Sequence, residues 1–159
     1  MNLIDTCKTI IKSDEESNRF STKPYRCTEG YPTIGWGFKV GEKGDPLPNI
    51  TMTPEEGEKK LAFEINDILD WMQRHDKIEA AYSNANDVRR AVMLSISYQV
   101  GKYGLLKFHN MLKALSFKDY HSAARECLDS VAARQAPQRW ARNAEMLKTG
   151  ELLKYYGGK

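Results

Sequence analysis

Apolar positions along the first dozen residues recur at helical spacing: Leu3, Ile4, Cys7, Ile10 and Ile11 share one face. They predict a helix over residues 2–12, ending in the acidic run Asp14-Glu15-Glu16. Residues 17–24, "SNRFSTKP", are polar and carry Pro24, so they read as a loop. The rhythm then changes. Residues 25–27 form a short strand, Glu29-Gly30 supplies turn chemistry, and residues 33–38 return. Along that return Ile34, Trp36 and Phe38 point one way, and Thr33, Gly35 and Gly37 the other. One face should pack inward. The other should be nearly bare, with room for a ligand against the backbone.

Helical spacing resumes at "TPEEGEKKLAFEINDILDWMQRHD". Thr53 is the expected N-cap, Pro54 opens the helix and Glu56 closes a capping box. Leu61, Ile65, Ile68 and Met72 form one stripe. Residues 87–100 are apolar on nearly all sides after the arginines, which predicts a buried central helix capped by Asp87 and ended by Gly101 and Gly104. Shorter helices are expected over 107–115, 118–133, 137–147 and 150–156. The fold class is therefore α+β, with a hairpin near the N-terminus and helices after it.

Length and composition narrow this picture. The 159 residues suffice for one compact domain, with 41 % apolar and 28 % charged residues. No apolar run approaches the roughly 20 residues of a membrane helix, and the N-terminus does not read as a secretory signal. Cys7, Cys27 and Cys127 are odd in number and widely spaced, which argues against a disulfide framework and for a reducing compartment. The three histidines, His75, His109 and His121, are scattered, so no metal site is expected. Charge is unevenly placed. Residues 1–88 carry 11 basic and 16 acidic side chains; residues 89–159 carry 13 and 5. The basic half suits an anionic partner: nucleic acid, or a polymer such as bacterial cell wall.

Two places could carry chemistry. A carboxylate at a helix C-terminus faces the negative end of the dipole, which holds its proton more tightly and suits a general acid. Ordinarily such a cluster is a solvated helix end. Across the hairpin, Cys27 and Thr33 should be near neighbours. Cys27 alone would read as a small buried residue. Beside a hydroxyl and a carboxylate it could instead help hold a water against a polymer.

"DEE…YRCTEGYPTIGWG" resembles the N-terminal signature of the phage-type lysozymes, the bacteriophage endolysins of glycoside hydrolase family 24. Thr33-Ile34-Gly35-Trp36-Gly37 matches the family's T-I-G-x-G, and Thr28-Glu29-Gly30 its turn. The likeness continues through "TPEEGEKKL", through Arg89-Arg90, Gln99-Val100-Gly101, Gly104, Phe108 and Asn110, and through Pro137, Arg139, Arg142 and Thr149-Gly150. The chain departs from the pattern at Glu16, usually glycine, and at Phe38, usually histidine. Lys39, Met111 and Glu126 also differ, and no binding role is carried onto them.

The resemblance implies a single lysozyme-like domain over 1–159: an N-terminal lobe over about 13–60, an interlobe helix over about 53–75, and a helical lobe over about 76–159 joined by helix 2–12. It implies hydrolysis of the β-1,4 bond between N-acetylmuramic acid and N-acetylglucosamine in peptidoglycan, ending in host cell lysis. Glu15 would be the general acid, with Glu16 the alternative. Cys27 would stand for the family's acidic hairpin residue and Thr33 would orient the water. Tyr98 would be a substrate-binding aromatic, and Arg139 would pair with the acid. Lys23 and Arg26, close in sequence, could favour a Cys27 thiolate. No cofactor, nucleic-acid partner or membrane partner is implied, and a monomer is expected. The protein would stay in the host cytoplasm until released to the periplasm and wall. Three other readings compete: an amidase or cysteine endopeptidase using Cys27 with His109 or His121 as base, a non-enzymatic wall-binding or structural relative, and a nucleic-acid-binding helical protein that the basic half permits but no motif supports.

Overall fold

The computed structural model describes residues 1–15 and 19–159. Glu16, Ser17 and Asn18 lie outside the described residues, and with them the alternative acid. Among the described residues the molecule combines one small antiparallel sheet near the N-terminus with a long helical remainder. That is the α+β class the sequence predicts. The chain divides into two compact units: residues 11–63, and residues 1–10 with 64–159.

Helix α1 (Leu3–Asp14) runs through the first division point, with Asn2 accepting a hydrogen bond from the Asp5 N–H at its start. Cys7, Ile10 and Ile11 are fully buried, as their spacing requires. Residues 11–63 continue into three strands in the order β1 (Ser21–Arg26), β2 (Pro32–Gly35) and β3 (Phe38–Lys39). Two expectations fail here. Residues 21–24 are strand, not loop. Pro24 is tolerated because β1 is an edge strand whose register shifts between Ser21 and Tyr25. The return is also not one strand to Phe38. Gly35 and Gly37 have φ of 67° and 81°, so the chain folds back at Trp36-Gly37 and Phe38 pairs with Ile34.

Helix α2 (Pro54–Arg74) starts as its sequence dictates. The Thr53 N–H donates to Glu56 Oε1 at 3.0 Å, and the Glu56 N–H donates to Thr53 Oγ1 at 3.1 Å. Leu61, Ile65, Ile68 and Met72 are all buried.

The helical unit holds the larger apolar core. Helix α3 (Asp76–Asn84), which the periodicity did not separate from its surroundings, is capped by the His75 side chain. Helix α4 (Asp87–Val100) is the buried central helix, with Ala91 to Ser97 shielded from solvent. Its N-cap is Asn86 rather than Asp87, because the Asn86 side chain accepts from the Arg89 N–H. Helices α5 (Lys102–Leu106), α6 (His109–Ser116), α7 (Tyr120–Leu128), α8 (Val131–Gln135) and α9 (Pro137–Thr149) follow. The single helix expected over 118–133 is two, broken where Ser130 caps α8. A 3-10 turn, Lys154–Tyr156, closes the chain. The largest fully buried side chain, Trp140, stacks on Phe108 with centroids 5.5 Å apart and planes within 6°.

Part of the basic excess has a structural use. Arg89 donates to the Leu147 and Lys148 carbonyls at the end of α9, at 2.7 and 2.9 Å. Arg90 donates to the Tyr82 and Ser83 carbonyls at the end of α3. Both cations satisfy helix C-termini, where carbonyls and the dipole favour positive charge.

Candidate active site

Glu15 follows the last residue of α1, and its N–H still donates to the Ile11 carbonyl at 2.9 Å. The side chain is half-buried. Its carboxylate lies on Gly37: a Cβ built there would stand 2.6 Å from Oε2 and 2.9 Å from Cδ. No other residue type fits beneath it without moving it. Gly37 thus leaves its space to the carboxylate, and its φ of 81° suits the turn.

The same rule closes Gly35. A Cβ there would meet the Phe38 ring at 2.8 Å and the Met52 sulfur at 2.9 Å. The bare ligand-binding face expected along Thr33, Gly35 and Gly37 is therefore not continuous. Phe38 and Met52 cover its middle, because the chain turns back at Gly37 and brings Phe38 over Gly35.

At the other end of the sheet the sequence expectation of neighbouring Cys27 and Thr33 holds. The turn from β1 to β2 is closed by Gly30 N–H to the Cys27 carbonyl at 2.9 Å and Cys27 N–H to the Tyr31 carbonyl at 3.0 Å, with Gly30 at φ 91°. Tyr25 faces Thr33 across the ladder, so Cys27 lies two positions further along the same face. Cys27 is half-buried; Thr33 is 3 % exposed.

Partial desolvation is the largest single influence on the Cys27 thiol and pushes its pKa up. Hydrogen bonds with the backbone of Tyr31, Glu29 and Gly30 and with the Thr33 hydroxyl together outweigh it and hold the thiol below its ordinary value. Of the two expected helpers, Arg26 is engaged elsewhere. Arg26 donates to the Gly30 and Asp45 carbonyls at 3.0 and 2.9 Å, bracing the turn. The other two cysteines are of another kind: burial pushes Cys127 up to about 12 and Cys7 higher still.

Thr33 adds a constraint. Its hydroxyl donates to the Tyr31 carbonyl at 2.9 Å. A hydroxyl has one proton. In that state Thr33 can only accept from the Cys27 thiol. To support a thiolate, or to donate to anything else, it must turn away from Tyr31.

Glu15, Cys27 and Thr33 all belong to the unit of residues 11–63. Tyr98 lies in α4 and Arg139 in the first turn of α9, both half-buried in the helical unit. That unit also contains a pocket of about 590 Å³ between the α4–α6 and α7–α8 segments, lined among others by Val100, Lys107, Phe108, Met111, Glu126 and Val131. Met111 and Glu126 were positions without a role in the sequence. The sequence marks both only as departures from the family pattern; Met111 is buried in α6 and Glu126 half-buried in α7.

The phage lysozyme family matches residues 15–143 of the chain. A probable T4-type lysozyme of Dictyostelium discoideum is 24 % identical, with 96 % of this chain and 99 % of the relative covered. A second probable T4-type lysozyme of the same organism is 26 % identical at the same coverage. The pre-baseplate central spike protein Gp5 of Enterobacteria phage T4 is 27 % identical over 84 % of this chain, which spans only 26 % of that longer protein.

Proposed function

The chain belongs to the phage lysozyme family of glycoside hydrolases, and on that premise we propose that it cleaves the β-1,4 bond from N-acetylmuramic acid to N-acetylglucosamine in bacterial peptidoglycan with Glu15 as general acid. The observation that carries the assignment is the Glu15 carboxylate on its glycine seat at Gly37. Glycosidic cleavage needs a proton delivered to the leaving oxygen and support for a nucleophile at the anomeric carbon. A carboxyl held in one place against the backbone supplies the first.

Cys27 and Thr33 supply the second. Their hydrogen-bonded pairing, the half-exposed sulfur and the lowered thiol pKa support a base that helps a water attack. When Cys27 takes up the water's proton, its thiol can donate to Thr33, and the hydroxyl settles back on the Tyr31 carbonyl. Tyr98 as a sugar contact and Arg139 as a partner of the acid rest on the family resemblance.

The biological setting is part of the same proposal. As an endolysin the protein stays in the host cytoplasm and reaches the wall after the membrane is permeabilised, lysing the host. Its support is the resemblance of Glu15, Thr28-Glu29-Gly30 and Thr33 to Gly37 to the signature of the phage enzymes. A wall digest tests the chemistry. Purified peptidoglycan treated with the protein should gain new reducing sugar ends. A gain of free amino groups instead would point to the amidase or endopeptidase reading of Cys27.

A further inference from the structure

A glutamate at a helix end has several free rotations, yet a general acid must be held within a fraction of an ångström. Gly37 gives the carboxylate a place to lie. Trp36 is 8 % exposed and directly precedes Gly37. Two side chains from either side of Glu15 in sequence meet its ring. Lys12, one turn before, places its amine 5.3 Å from the ring centroid. Phe20, five residues after, meets it edge-on with centroids 5.5 Å apart.

Both contacts are braced by the start of α2. Lys12 forms an ion pair with Glu58. Phe20 lies so close over Gly57 that a Cβ there would have to displace its ring. The brace on Lys12 matters for another reason. Lys12 lies in the last turn of α1, and Glu15, three residues on, stands just past its end, within reach of it. Glu58 and the Trp36 ring draw the amine toward themselves.

From this convergence we propose that Trp36, gripped by Lys12 and Phe20, is the positioning residue of the proton donor. It acts through Gly37 and never touches substrate. The inference rests on Glu15 being the acid. It distinguishes two roles for the ring: a core residue that only stabilises the unit, and a clamp that sets where the carboxyl sits.

Lys12→Met tests the clamp, since it removes the cation, keeps the chain length and disturbs little of the core. Turnover of peptidoglycan should fall roughly tenfold in kcat, with KM within about twofold, because a small misplacement of a catalytic group costs rate rather than affinity. Lys12→Arg should restore most of it. An amide NMR readout follows the seat independently of turnover. The Gly37 amide resonance should move on Glu15→Gln in the wild-type background, and move less in the Lys12→Met background. Unchanged kcat together with an undiminished Gly37 response would overturn the clamp. Failure of the wild-type protein to release reducing ends would instead remove the acid assignment, and the Gly37 response would still report whether Lys12 positions Glu15.

Discussion

The two units of this chain are built by different means. In the helical unit, side chains fill space: Ile96, Leu105, Met93 and Trp140 are essentially sealed from solvent, and helix ends are closed by arginines and asparagine. In residues 11–63, shape comes as much from missing side chains. Gly30, Gly35 and Gly37 take positive φ, and Gly35, Gly37 and Gly57 yield their space to a neighbour. The first kind of construction tolerates chemistry poorly, since a polar group there must be satisfied by its packing neighbours. The second leaves backbone and short polar groups able to face a carboxylate and a sulfur. It is where Glu15, Cys27 and Thr33 stand.

Removing the largest core ring should have the largest effect. Trp140→Ala takes away the ring stacked on Phe108 and should destabilise the protein by about 3–5 kcal/mol, read by urea denaturation. A smaller loss would mean that the helical unit does not depend on filled space as its burial implies. Gly35→Ala reverses the operation by adding one carbon to the sheet unit. The left-handed backbone alone should cost about 1–2 kcal/mol, and contact with Phe38 and Met52 adds to it. A neutral result would show that the sheet does not need its glycine.

The cysteines sharpen the same contrast with the smallest effect on stability. Cys27 should react with iodoacetamide in the native state, while Cys7 and Cys127 should react only on unfolding. A lowered pKa means the proton leaves at lower pH. The rate at Cys27 should therefore rise through a midpoint below the roughly 8.5 of a free thiol. In Thr33→Val that midpoint should move up, because the hydroxyl no longer supports the thiolate.

Periodicity made the helical unit legible. The stripe of α2, its capping box and the buried α4 follow from spacing alone, because a helix repeats its environment every few residues. Boundaries were harder where a cap decides them: Asn86 displaced Asp87, and Ser130 split one helix into two. In the sheet unit the pairing of Cys27 and Thr33 was readable from hairpin geometry. The fold-back at Trp36-Gly37 was not. An alternating pattern looks the same in a continuous strand and across a tight turn whose glycines happen to keep the phase. Nor could spacing show that Gly37 would be filled by Glu15, a residue 22 positions earlier. Only the motif resemblance linked the two.

Glu15→Gln tests the central claim most directly, with turnover and stability measured on the same sample. The amide keeps the shape of the carboxyl but cannot donate an acid's proton. Release of reducing ends from purified peptidoglycan should fall by about 10²-fold or more, while the melting temperature stays close to that of the wild type. Retained turnover at unchanged stability would contradict the account and move the acid away from Glu15.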